Sequence, residues 1–189
     1  GEFFLKNSNT GGAADQVVRF GAKDRQAPAS PLVGISGNWN GSGGAGIGTY
    51  DPDTGVFNLQ NTPANGGQVD ASFKLGNGGA IPLSGDWDND GTDEVGIYNP
   101  TSGYVSIKAD NTGGAAVTNF RLGGKNTSNL ACAGDFNDDG TATVALYSVA
   151  ARTFTQADAN TDGGGTLNQF KFGGSNVNNE PVCGNWDGM

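Results

Sequence analysis

The sequence contains no histidine, and this absence excludes several kinds of active site. Serine and cysteine nucleophiles that depend on a histidine base cannot be assembled, and zinc sites built on imidazole are excluded as well. A glycosidase-like pair of carboxylates is the remaining catalytic alternative. The acids, however, lie in a spacing that suits cation-binding loops, and this spacing already explains them. We therefore expect no enzymatic activity.

Basic residues and long apolar runs are also scarce. Lysine and arginine number 10 against 19 acids, which gives a net charge of −9, and the basic residues form no cluster. This balance argues against nucleic acid and anionic membranes as partners. Because no apolar run approaches membrane-spanning length, we expect no membrane insertion. No signal peptide is visible, but the chain opens inside a repeat, so we expect an upstream segment.

Glycine, in contrast, is abundant, with 34 in 189 residues, and it recurs with spaced aromatic residues. This pattern predicts an all-β fold of short strands and tight turns, and no amphipathic helix of convincing length is found. A Gly-[Asp/Asn]-aromatic motif recurs at intervals of 48, 49 and 50 residues. Its aromatic residues are Trp39, Trp87, Phe136 and Trp186. A tyrosine follows the first three of them after eleven residues, at Tyr50, Tyr98 and Tyr147.

Each repeat carries up to four strand-like segments. Innermost strands are predicted near 31–37, 81–85, 130–134 and 181–184, and second strands near 45–50, 94–98 and 143–147. Third strands are predicted near 3–6, 56–60, 104–108 and 152–156, and outer strands end near Phe20, Leu75, Leu122 and Phe172. Nearly fifty residues with four strands is typical of one propeller blade. The total is fifteen strands, where four complete blades need sixteen.

We therefore predict a single repeat domain over residues 1–189. Its repeats run roughly over 1–37, 38–85, 86–134 and 135–184, and residues 185–189 begin a truncated repeat. The missing strand would lie between the third strand at Phe3 and the innermost strand ending at Gly184. An unfilled position exposes unpaired backbone groups, so we expect a strand from outside residues 1–189 to fill it, supplied by the parent chain or by a partner subunit.

The strongest candidate site is the segment from Asp86 to Glu94. Asp86, Asp88 and Asp90 place carboxylates at alternate positions, and Glu94 follows at the ninth position. This spacing suits a hard cation, with a backbone carbonyl near Thr92 completing the ligand set. Gly91 supplies the positive φ that such a tight turn needs.

Two other loops repeat this pattern with fewer charges. The second predicted site contains Asp135, Asn137 and Asp139, with Thr141 in the place of Thr92. Its ninth residue is Thr143 rather than an acid, so we expect weaker binding there. The loop 38–42 has only neutral oxygens and predicts a metal-free turn, and the loop that begins at 185–187 is cut off.

The loop 85–91 follows the Asp-x-Asp-x-Asp-Gly pattern of EF-hand calcium loops, but β-forming residues flank it. Together with residues 4–15, it resembles the FG-GAP/VCBS-like repeats of bacterial secreted proteins. The resemblance covers essentially the whole chain. It implies a calcium-stabilised β-propeller, here of four blades with one incomplete, in a secreted or cell-surface protein. It does not imply one activity, since such repeats accompany proteins of different functions.

Two functions are predicted as alternatives. One is a non-catalytic module that binds a carbohydrate or protein ligand at the cell surface. The other is an assembly subunit of a surface layer, filament or larger secreted protein, completed by a partner strand. Trp39, Trp87 and Trp186 could line sugar-binding pockets, but their strict periodicity favours packing between blades. Tyr104 lies outside the periodic pattern and is a better surface candidate.

The two cysteines, Cys132 and Cys183, fall in the innermost strands of consecutive repeats. Innermost strands crowd around a narrow axis, and an oxidising compartment would favour a disulfide between them. Two small buried thiols that pack as apolar residues are the equal alternative. The sequence leaves both open.

Overall fold

The chain forms antiparallel β-sheets, as a computed structural model shows. None of the described residues lies in a helix, so the all-β prediction is confirmed. The structure describes residues 1–8, 10–21, 30–116, 118–126, 128–173 and 180–184.

The first sheet has two strands, β1 (Glu2–Leu5) and β2 (Gln16–Arg19). The second sheet is a four-stranded meander that takes its strands in chain order. It consists of β3 (Val33–Gly37), β4 (Gly46–Asp51), β5 (Val56–Gln60) and β6 (Ala71–Lys74). Each strand pairs with the next, as expected for short strands joined by glycine-rich turns.

Two further meanders repeat this order. The third sheet consists of β7 (Ile81–Gly85), β8 (Glu94–Asn99), β9 (Tyr104–Ile107) and β10 (Thr118–Arg121). The fourth consists of β11 (Asn129–Gly134), β12 (Thr143–Ser148), β13 (Thr153–Gln156) and β14 (Asn168–Lys171). In each of the three four-stranded sheets, the strands therefore follow one another in the order that the sequence predicts.

The apolar cores lie between successive sheets. Val18 and Phe20 of the first sheet pack with Ile47 of β4. The second sheet presents Tyr50, Phe57 and Phe73 to Val95 and Ile97 of β8. The third presents Tyr98, Val105 and Phe120 to Val144 and Leu146 of β12. The second strands of the three four-stranded sheets, β4, β8 and β12, thus each cover the apolar face of the preceding sheet. In addition, β7 contacts both β3 and β11.

One predicted strand is absent. Residues 181–184 carry no strand, so the described residues contain fourteen strands and not the fifteen that we predicted. The other innermost strands β3, β7 and β11 each pair with the second strand that follows them. No described second strand follows 181–184, and this segment pairs with no described strand.

A disulfide joins Cys132 of β11 to Cys183, with 5.7 Å between their Cα atoms. Of the two alternatives left open by the sequence, the structure therefore contains the bridge. It holds the segment 180–184 beside β11. The predicted gap between this segment and β1 remains a prediction, since β1 pairs only with β2 among the described residues.

Candidate metal centre

The acidic loop lies at one end of the hairpin formed by β7 and β8. Asp86 follows the last residue of β7, and Glu94 is the first residue of β8. Gly85 and Glu94 are direct partners in the ladder between these strands. The end of the hairpin thus brings the first and ninth positions of the loop together.

Side-chain-to-backbone hydrogen bonds hold the turn closed. The carboxylate of Asp86 accepts N–H bonds from Asp90 at 3.1 Å and from Gly91 at 2.8 Å. Asp90 in turn accepts the N–H of Thr92 at 2.8 Å. Gly91 has a φ of 88°, as the sequence predicts for this turn, and Asn89 has a φ of 62°. Asparagine is one of the few residues other than glycine that adopt this conformation readily.

The loop brings three of the predicted ligands together. One carboxylate oxygen from each of Asp86, Asp88 and Glu94 lies within 4.8 Å of the other two, so the cluster could hold a metal ion. Asp90 is not part of this group, although it lies close enough to interact electrostatically with Glu94. Thr92 is placed next to Asp90 by the hydrogen bond between them.

Glu94 is the unusual member of the cluster. Its side chain is only 2% exposed, and its Oε2 atom is buried without a hydrogen-bond partner among the described residues. Burial, as the largest cause, and the charges of Asp88, Asp90, Asp86 and Asp93 together raise the pKa of Glu94 to about 8. An ionised carboxylate in this place is costly unless a cation compensates it.

The second predicted loop has the same backbone but a different lining. Asp135 accepts N–H bonds from Asp139 at 3.2 Å and from Gly140 at 2.8 Å, and Asp138 has a φ of 58°. These contacts match those of Asp86, Asp90, Gly91 and Asn89. Yet the described residues of this loop contain no group of three clustered acids.

Carboxylates of the second loop accept hydrogen bonds from a side-chain amide and from backbone N–H groups. Asn137 donates its amide to Asp139 at 2.9 Å, and the N–H of Thr141 also bonds to Asp139 at 2.8 Å. These bonds lower the pKa of Asp139, with the Thr141 N–H as the larger cause. At the ninth position the buried hydroxyl of Thr143 donates to the carbonyl of Ala157 at 3.0 Å. The loop therefore contains no buried, unpaired carboxylate comparable to Glu94.

The loop 38–46 shows why its ninth position carries no acid. Gly41 and Gly43 have φ values of 67° and 82°, so its backbone bends at the same two positions as the other loops. A Cβ atom on Gly46, however, would collide with the carbonyl oxygen of Gln60 and with the Trp39 ring. Only glycine fits, and a carboxylate cannot be placed here.

Hydrogen bonds also join neighbouring loops, which the sequence analysis missed. Asp93 accepts the N–H of Asn38 at 2.6 Å, and the Asn38 amide donates to the carbonyl of Gly91 at 2.8 Å. Asn111 donates to the carbonyl of Asp93 at 2.8 Å, and Asn160 donates to the carbonyl of Ala142 at 2.8 Å. An available signal was the Asn-Thr pair that recurs 49 residues apart at Asn111 and Asn160.

Two of the three tryptophans serve as packing residues. Trp39 and Trp87 are buried, and their indole N–H groups donate to the carbonyls of Ile47 and Glu94. The packing interpretation is confirmed for both, while Trp186 and the loop 185–187 lie outside the described residues. Tyr104 is 48% exposed, in agreement with its prediction as a surface residue.

No protein-family model matches the chain, and no curated protein is significantly similar to it. A helix long and apolar enough to cross a membrane is not found in the part of the chain that the structure describes.

Proposed function

We propose that the chain is a calcium-binding β-propeller module of a secreted or cell-surface protein, which binds a carbohydrate or protein ligand without catalysis. One observation carries the metal assignment. The Oε2 atom of Glu94 is buried beside Asp86 and Asp88, and it has no hydrogen-bond partner among the residues that the structure describes. A bound cation supplies the missing partner and compensates the clustered negative charge.

The donor set favours calcium. Asp86, Asp88 and Glu94, whose carboxylate oxygens lie together, would hold the ion. Asp90 and the carbonyl of Thr92 would complete the ligand set. Calcium takes six to eight oxygen ligands in flexible geometry, whereas magnesium requires a nearly ideal octahedron. The ion would supply charge compensation and local order. Asp135, Asn137, Asp139 and Thr141 would form a weaker second site, because this loop lacks a ninth-position acid.

The sheet arrangement supports a propeller. Three four-stranded meanders and one two-stranded sheet follow one another, with an apolar core between each successive pair. Their innermost strands β3, β7 and β11 lie side by side. We take the two-stranded first sheet as the incomplete blade of the four, and the disulfide is compatible with an extracellular location.

A thermal-unfolding experiment tests the metal assignment. The wild-type protein should melt at a higher temperature in excess calcium than in chelator, because an ion that binds only the folded state stabilises it. Excess magnesium should stabilise it less. Equal melting temperatures in calcium and chelator would contradict the proposal.

The ligand assignment needs a separate test. The exposed ring of Tyr104 is one candidate contact for a sugar. A glycan array with and without calcium should give reproducible binding that Tyr104→Ser weakens. If the protein binds no glycan on the array but self-associates, the result would favour the alternative, an assembly subunit completed by a partner strand.

A further inference from the structure

The backbone that precedes Glu94 is held by hydrogen bonds from outside its own loop. The side-chain amide of Asn111 donates to the carbonyl of Asp93 at 2.8 Å and to the carbonyl of Trp39 at 3.3 Å. The N–H of Asp93 donates to the carbonyl of Asn38 at 2.9 Å. The two peptide groups of Asp93 are therefore both bonded to other segments of the chain.

The carboxylate of Glu94 depends on this backbone for its position. Its Oε2 atom is buried and has no hydrogen-bond partner among the described residues. The main chain of Glu94, in contrast, pairs with Gly85, and its carbonyl accepts the indole N–H of Trp87 at 3.0 Å. A displacement of the peptide group between Asp93 and Glu94 would consequently move the carboxylate relative to the other two clustered acids.

The orientation of the Asn111 amide follows from its partners. Both partners are carbonyl oxygens, so the amide nitrogen must face them, because a carbonyl only accepts hydrogen bonds. The Oδ1 atom on the other side of the amide is buried without a partner among the described residues. Asn111 therefore acts here as a donor that joins the loop 86–94 to the loop 38–46.

The segment that carries Asn111 is itself held in place. Lys108 lies at the start of this segment and is only 3% exposed. Its ammonium group donates to the carbonyls of Ala115 at 3.3 Å and Gly114 at 3.5 Å, and it lies 3.7 Å from the carboxylate of Asp110. These contacts join the two ends of the segment 108–115, so the amide of Asn111 is presented by an ordered turn.

The same contact recurs in the next repeat, where no acid follows it. Asn160 donates to the carbonyl of Ala142 at 2.8 Å, and each of the two asparagines lies 18 residues after the residue it binds. Ala142 is followed by Thr143, whose hydroxyl has its own bond to the carbonyl of Ala157 at 3.0 Å. Of these two asparagines, only Asn111 thus binds the residue before a buried carboxylate that lacks a partner.

We propose that Asn111 is a positioning residue for the metal centre, which fixes the peptide group between Asp93 and Glu94 and so holds the Glu94 carboxylate beside Asp86 and Asp88. The inference rests on the proposed calcium site and adds to it a residue from a different segment of the chain. Hydrogen bonds that orient metal ligands from outside the ligand set typically change metal affinity by about ten- to a hundredfold. Loss of the Asn111 donor should therefore weaken calcium binding at the first loop.

Calorimetric titration with calcium of metal-free wild type, Asn111→Ala and Asn160→Ala is the test. Asn111→Ala should weaken the tight site by at least about tenfold, whereas Asn160→Ala should change its affinity less than about twofold, because no ligand of that site follows Ala142. Urea unfolding in chelator should show a similar loss of stability in the two variants, since each loses a bond of the same kind. The matched pair thereby separates positioning of the ligand from a general contribution to the fold.

An unchanged tight site in Asn111→Ala, or equal weakening by both variants, would overturn the proposal. If the alanine variant does not fold in chelator, Asn111→Ser replaces it, because the serine hydroxyl is too short to reach the two carbonyls and should weaken the tight site likewise. A wild-type protein that binds no calcium would overturn the metal assignment as well. This result is distinct from a tight wild-type site that loss of the Asn111 donor leaves intact, which would overturn the positioning role alone.

Discussion

The loops 86–94 and 135–143 have the same turn but different chemistry. In both, the first aspartate accepts two backbone N–H bonds, and the residues at the fourth and sixth positions have positive φ. The first loop ends on the buried carboxylate of Glu94, and the second on the hydroxyl of Thr143, which bonds to a carbonyl. Turn geometry alone therefore does not make a metal site. The loops differ at the third position as well, with Asp88 in the first and Asn137 in the second. Only the ninth position is buried in both loops, so changes there should have the largest effects.

Glu94→Gln should have the largest effect. Glutamine keeps the shape of the side chain but removes its charge, so calcium affinity should fall by at least about tenfold, since affinity follows the charge of the ligands. In chelator, the variant should unfold at the same or a higher temperature than the wild type, because a buried carboxyl surrounded by acids is removed. Thermal unfolding in calcium and in chelator measures both effects. Asp138→Asn is the matched control, since it removes one exposed acid from a loop position that Asn89 occupies in the first loop.

Thr143→Glu tests the same difference in the opposite direction. In chelator, the free energy of unfolding should fall by about 1–3 kcal/mol, because an uncompensated carboxyl replaces a buried, hydrogen-bonded hydroxyl. Calcium should restore much of this loss and bind the second loop more tightly. Chemical denaturation with and without calcium measures both. Thr143→Val removes the hydroxyl without adding charge and should gain no calcium response; a gain by valine as well would refute the argument.

The pH dependence of the metal-free protein should also separate the loops. Folding raises the pKa of Glu94 from an ordinary value near 4.5 to about 8, so the unfolded chain loses this proton first as pH rises. Stability should therefore fall between about pH 4.5 and pH 8 and then level off. Urea unfolding in chelator should show this decline in the wild type and not in Glu94→Gln. Parallel profiles of the two proteins would exclude Glu94 as the cause.

Asn38→Asp should have the smallest effect. The change gives the loop 38–46 an acid at its first position. The hydrogen bond from the Asn38 side-chain amide to the Gly91 carbonyl is lost, at a cost of about 1 kcal/mol. No calcium site should appear, because no side chain fits at Gly46. Asn40→Asp keeps its acceptor for the Ser42 N–H and serves as the control. Calcium-dependent stabilisation beyond that of the wild type would contradict the importance of the ninth position.

Periodicity alone predicted much of this fold. The recurrence of Tyr50, Tyr98 and Tyr147 located β4, β8 and β12, because each tyrosine lies at the same register, one residue before the end of its strand. The segment 181–184 was predicted from the same pattern and is not a strand. A strand forms only with a hydrogen-bonded partner, and the pattern of a single segment does not reveal whether that partner is present.

The candidate site was predictable in composition but not in energetics. Alternate acids identified Asp86, Asp88 and Glu94 as neighbours, because the spacing lies within one loop. The burial of Glu94 depends on how β8 packs in its sheet and against neighbouring sheets. The sequence of one loop does not reveal this packing. Asn111 also donates to the carbonyl of Trp39, and Asp93 accepts the N–H of Asn38, so both residues bond to a loop of another sheet. Similarly, the spacing of the cysteines allowed a disulfide without requiring one.

A calorimetric titration of metal-free protein with calcium, performed on the wild type and on Glu94→Gln, tests the central claim most directly. The account predicts one tight site in the wild type, with any binding at the second loop clearly weaker. The tight site should be lost in Glu94→Gln and retained in Asp138→Asn. A wild-type protein that binds no calcium, or a tight site that survives Glu94→Gln, would contradict the account.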